Sequence, residues 1–166
     1  MPITDKKTYN LGLINGWLKA VARFNDKTNN QYEFYLAPFG EEGKSLTENL
    51  DGLFNPICES YELEEIKAPE EFLWRTIIAS WFFEYQEKGD SHYVLLDKGK
   101  DFSLSYDSWK EEWVQEFVDL LLQTLNATKV YNLIVGPTKS FYVCDSIEVI
   151  FETDDDFYHL HLSISD

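Results

Sequence analysis

The segment PEEFLWRTIIASWFFEYQEKG, residues 69–89, sets the strongest constraint on what this chain can fold into. Pro69 suits a first helical turn, where a missing N–H costs nothing, and Gly89 suits a left-handed cap. Glu70 and Glu71 put negative charge at the positive end of the helix dipole, and Lys88 answers at the other end. Trp74, Ile77, Ile78, Trp81 and Tyr85 recur at the spacing of one helical face, while Phe72, Thr76, Ala79 and Phe83 fill a second. The pattern predicts a helix over 69–89 that is apolar nearly all round, and such a helix must be covered by other elements. Arg75, Glu84 and Glu87 interrupt it, and its apolar run falls well short of the ~20 residues a bilayer span requires. It reads as a scaffold helix.

The rest of the chain supplies the cover. Residues 1–8 are expected to trail or to form a short edge. Leu11, Ile14, Leu18, Val21 and Ala22 give residues 10–24 a helical period, with a hairpin turning at Asn15-Gly16 as the alternative. Tyr32, Phe34 and Leu36 mark a strand ending before Pro38. Ser45, with Glu48 three residues on, forms a capping box that opens a short helix to Phe54. Residues 57–67 alternate in part and fit a strand or an extended arm. Residues 92–96 and 102–106 flank Lys98-Gly99-Lys100 as a hairpin. Asp107 or Ser108 then caps a helix to about Asn126, with Trp109, Trp113, Phe117, Leu120, Leu121 and Thr124 in its apolar stripe. Lys110, Glu111, Gln115 and Asp119 are expected on its outer face.

The tail alternates as strands do. Residues 129–135 end at Gly136-Pro137, and residues 141–152 and 157–164 flank a hairpin loop at Thr153 to Asp156. Placing Ile147, Val149 and Phe151 on one face with Tyr158, Leu160, Leu162 and Ile164 sets Phe151 against Tyr158, Ile150 against His159, and Glu148 against His161. The predicted architecture is α+β: two long helices packed on one face of a mostly antiparallel sheet, in a single two-layer domain spanning residues 1–166.

Charge restricts the function. The chain carries 14 Lys and Arg against 30 Asp and Glu, for a net charge of −16. That argues against nucleic-acid and anionic-membrane binding, which need a basic footprint. Residues 36–71 hold ten acids against only Lys44 and Lys67, so half the net charge falls in about a fifth of the chain. A surface of this kind speeds encounter with a basic partner. The five Trp, ten Tyr and twelve Phe exceed what a small core usually needs, and exposed aromatics anchor interfaces. Cys58 and Cys144 form no framework and no CxxC pair, and both are expected reduced and mostly buried. Asn10, Asn15 and Lys19 break the apolar region of a secretory signal, so a cytoplasmic location is expected.

Catalytic motifs are missing. Phosphate-binding glycine loops, G-x-S-x-G, H-E-x-x-H and C-x-x-C are absent, which argues against an enzyme, and no cofactor is implied. His159, His161 and Glu148 share one strand face and could hold zinc or perform acid–base work. The plainer reading, preferred at this level, is a solvent-facing row with one weak His161–Glu148 cross-strand pair and no metal. Asp154, Asp155 and Asp156 lack the spacing of a calcium loop and read as a tight acidic turn. The remaining candidate is the acidic run Glu59, Tyr61, Glu62, Glu64, Glu65, Glu70 and Glu71, with Trp74 nearby. Carboxylates mixed with aromatics suit capture of a basic protein, with Asp154 to Asp156 as a second acidic surface. A solvated face over buried Tyr61, Leu63 and Ile66 is the alternative.

The acidic CESYELEEIKAPEEF run, the aromatic helices and the DSIEVIFETDDDFYHLHLSIS hairpin together resemble the immunity proteins of bacterial contact-dependent inhibition and related polymorphic toxin systems. The resemblance implies a monomeric inhibitor that binds a basic toxin, in particular a nuclease, one to one and covers its active site. It assigns no role to any single position. The alternatives are a small metal-dependent enzyme centred on His159, His161 and Glu148, and a non-catalytic subunit of a larger assembly.

Overall fold

The computed structural model describes residues 6–26, 31–82 and 109–165. Along the chain lie α1 (Lys6–Asn25), β1 (Gln31–Phe39), α2 (Leu46–Phe54), β2 (Tyr61–Glu65), α3 (Pro69–Ser80), α4 (Trp109–Leu125), β3 (Lys129–Val135), β4 (Asp145–Glu152) and β5 (Phe157–Ser165). The strands form one antiparallel sheet in the order β1-β5-β4-β3-β2. This is the α+β build expected. No helix among the described residues is long and apolar enough to cross a membrane.

The principal core lies between the sheet and α1, α3 and α4. Ile14, Leu18 and Val21 of α1, Leu73 and Ile77 of α3, and Val114, Phe117, Val118 and Leu121 of α4 are buried against Phe34, Val149, Phe151, Leu160 and Leu162. Trp17 meets Phe117 and Trp113 edge-on, with ring centroids 5.9 and 5.8 Å away. Residues 10–24 are therefore helix, with no hairpin at Asn15-Gly16. The helix also begins at Lys6, so residues 6–8 neither trail nor form an edge. Asn15 is used differently: its side chain bonds both the N–H (2.9 Å) and the C=O (2.8 Å) of Leu36 and ties α1 to the edge strand β1.

The scaffold helix is shorter than its periodicity suggests. α3 ends at Ser80, and the N–H groups of Trp81 and Phe82 both reach the Ile77 carbonyl at 3.1 Å. Tertiary contacts take over there. Asn25 Nδ2 donates to the Trp81 carbonyl (2.8 Å), an acceptor that a continuing helix would have used. Phe34 packs on both Trp81 and Phe82. The helix thus starts beside β2 at one sheet edge and ends over β1 at the other. Residues 83–89 of the expected helix, and the expected hairpin at 92–106, lie outside the described residues.

Three details differ from the sequence pattern. β1 runs through Pro38 to Phe39, because an edge strand tolerates a residue with no N–H. Lys110, expected on the outer face of α4, is buried; a lysine's four-carbon stem can be covered at low cost. The buried stripe of α4 is Val114, Phe117, Val118, Leu121 and Leu125, so it is rotated away from Trp113, which is 44% exposed.

The other face of the sheet has its own smaller core. α2 opens on the expected capping box, with Ser45 and Glu48 bonded reciprocally. It places Leu50 and Phe54 against Leu133, Ile150 and Cys58. The segment after α2 extends the β2–β3 ladder through Glu59 N–H to Pro137 (2.8 Å) and Gly136 N–H to Ser60 (2.9 Å). A Cβ on Gly136 would stand 2.6 Å from the Ser60 carbonyl oxygen, so this close approach requires glycine.

Candidate functional site

Strand alternation places Glu148, His159 and His161 on the face opposite α1, α3 and α4, one residue out of phase with Val149, Leu160 and Leu162. The register is the one read from the sequence, with Glu148 directly across from His161 and Ile150 across from His159. The expected solvent exposure is wrong. Glu148 is 1% exposed, His159 4% and His161 3%. What the alternation could not show is the cover. Tyr35 of β1 stacks on His161 at 4.8 Å, Phe54 of α2 meets His159 edge-on at 5.7 Å, and Phe39 and Tyr142 close two further sides.

The three polar side chains converge. His159 Nε2 lies 2.6 Å from Glu148 Oε2, and His161 Nδ1 lies 2.8 Å from the same oxygen and 3.0 Å from Oε1. Tyr142 donates its hydroxyl to Oε1 at 3.0 Å. Burial by itself would push the Glu148 carboxyl up, but the bonds from His159 and His161 outweigh it and hold the group down at about 2. The carboxylate is therefore ionised and accepts only, so the ring nitrogens facing it carry protons. Burial, with the Glu148 charge next to it, raises the Tyr35 phenol to about 12 and raises Tyr142 as well. A carboxylate held this low is a poor general base near neutrality. As a ligand set, one carboxylate and two imidazoles remain well suited to a divalent ion.

The acidic candidates occupy the surface. Glu59, Glu62, Glu64 and Glu65 on and before β2, and Glu70 and Glu71 at the start of α3, are all exposed. β2 is an edge strand, so these carboxylates form a rim along one side of the sheet. Glu65 bonds Lys67 and Glu71 pairs with Arg75. A shallow groove of about 460 Å³ lies between Glu70, Glu71, Trp74 and Gln115. Tyr61 is half-buried, its hydroxyl donating to Asp51 at 2.8 Å. Asp154, Asp155 and Asp156 lie in the exposed β4–β5 turn, at the end of the sheet where Glu65 also lies. Asp156 is engaged by Lys7 at 3.5 Å. Cys58 is buried as expected, whereas Cys144, in the loop before β4, is exposed.

Sequence reasoning found Glu148, His159 and His161 but not Tyr35 or Tyr142. Tyr35 was legible in principle, since it alternates with the apolar residues Phe34 and Leu36. Tyr142 lies outside any strand, and no periodicity points to it. The chain matches no protein-family model, no curated protein and no solved structure.

Proposed function

We propose that this chain is an acidic binding protein that neutralises a basic toxin, a nuclease, by occluding its active site, as an immunity protein does. The observation that carries the reading is the exposure of the carboxylates along the β2 edge and the start of α3, two of them paired with Lys67 and Arg75, bordered by Trp74. Each side chain keeps its charge in solvent, where it contributes to the field that steers a basic partner. The carboxylates stand in for the phosphates of a nucleic acid, and the half-buried Trp74 supplies an anchor of the kind that dominates interface energetics.

The test is association with the basic C-terminal domain of a large secreted protein encoded next to this chain, followed by surface plasmon resonance at several salt concentrations. Replacing Glu62, Glu64 and Glu65 by Lys is expected to slow association at least tenfold at low salt and much less at high salt, where the field is screened. An on-rate that survives this change and also a reversal of Asp154 and Asp155 would sink the reading. So would the absence of any complex with such a domain.

A further inference from the structure

We propose that Glu148, His159 and His161 form a binding site for a divalent transition-metal ion of the zinc class, entered through a fork in the sheet between β3 and β4. The proposal goes beyond the binding reading and does not depend on the acidic rim. Three observations carry it.

The first is placement. The three ligands stand on β4 and β5, which have a paired strand on both sides, so their backbones are held at each edge. One oxygen of Glu148 and one nitrogen of each histidine all lie within 4.8 Å of one another. The second is chemistry. One carboxylate with two imidazoles is a common zinc donor set that leaves a position open. Tyr142 Oη, 3.0 Å from Glu148 Oε1 and 3.4 Å from His161 Nδ1, borders that position.

The third is access. β3 and β4 pair from Lys129↔Glu152 only as far as Leu133↔Glu148. Beyond that point β3 continues beside β2 to Val135, and β4 begins beside β5 at Asp145. The two inner strands therefore separate at the carboxylate. A groove of about 350 Å³ opens in the fork, with Glu148, Tyr142 and Leu133 among its walls. A buried cluster that served packing alone would not require a break in the sheet beside its one charge.

Binding requires a rearrangement of the donors. Donors 2.0–2.1 Å from a tetrahedral ion lie about 3.3 Å apart, so contacts of 2.6 and 2.8 Å must widen by roughly half an ångström, and the two histidine nitrogens, grouped with the carboxylate within 4.8 Å, must close towards the same spacing. The ring protons now facing Glu148 move to His159 Nδ1 and His161 Nε2, leaving His159 Nε2 and His161 Nδ1 free to coordinate.

The full chain, stripped with a chelator, is titrated with zinc chloride by calorimetry and with cobalt(II) by visible absorption. One ion per chain, a tetrahedral cobalt spectrum and a raised thermal midpoint are expected. The double variant His159→Gln, His161→Gln should lose the cobalt spectrum, and Tyr142→Phe should weaken binding about tenfold, as loss of an outer partner does. If the double variant does not fold, imidazole resonances of the unaltered protein decide the matter: zinc should shift those of His159 and His161. No heat and no cobalt spectrum from folded protein would overturn the proposal. So would binding that persists in the folded double variant, or that leaves the His159 and His161 resonances in place.

Discussion

On the helix side of the β4–β5 ribbon, Val149, Phe151, Leu160 and Leu162 are buried against apolar residues of α1, α3 and α4. One residue along each strand, on the opposite side, Glu148, His159 and His161 are buried almost as deeply under Tyr35, Phe39, Phe54 and Tyr142. The same two strands thus carry two interiors held by different forces. The helix side is stabilised by area removed from water, which is non-directional and insensitive to pH. The other side has a charge to keep satisfied, so its stability depends on direction, protonation and partners.

The largest expected effect falls on the apolar side. Phe117→Ala leaves a cavity beneath Trp17 and should cost about 4 kcal/mol, measured by denaturant unfolding, with the same cost at every pH in the folded range. A loss below about 1 kcal/mol would mean that this layer does not dominate stability.

Glu148→Gln keeps the volume but removes the charge and one acceptor, and should cost about 2–3 kcal/mol near neutrality. Its cost should depend on pH. The carboxyl is held at about 2 in the folded protein against an ordinary 4.5, so its stabilisation is complete above 4.5 and is lost as pH falls through 2. The difference between Glu148→Gln and the unaltered chain should therefore shrink as pH falls from about 4.5 towards about 3, while that of Phe117→Ala does not. Parallel losses would erase the distinction between the two interiors.

Ser45→Ala removes the cap of the helix that lays Phe54 on His159, and should cost about 1 kcal/mol. Hydrogen exchange should show the loosening at α2 and leave α4 unchanged; an equal change in both would contradict an independent second core. The smallest effect belongs to the rim. Reversing Glu62, Glu64 and Glu65 should move stability by no more than about 0.5 kcal/mol in thermal unfolding, since all three side chains are solvated.

Particular residues show why some of this was legible and some was not. The β4–β5 register followed from alternation, because a one-residue slip would have exchanged Val149 and Leu160 with Glu148 and His159 across the sheet. The Ser45–Glu48 box is equally local, since both partners lie within one turn. The end of α3 is different. Its periodicity runs past Ser80, but Asn25 and Phe34, both distant in sequence, end it at Trp81. The burial of His159 and His161 likewise depends on Phe54, Tyr35 and Tyr142, which come from three other parts of the chain.

The sequence by itself determined the α+β class, the antiparallel pairing of the last two strands, and the faces on which Glu148, His159 and His161 lie. These properties depend on the period of side-chain direction, which neighbours along the chain specify. Tertiary structure alone decided that the second face is closed, that the two histidines share one carboxylate, and that the sheet divides beside it. A strand's pattern shows which side chains point together, but whether water or a ring covers them depends on residues brought in from elsewhere in the fold.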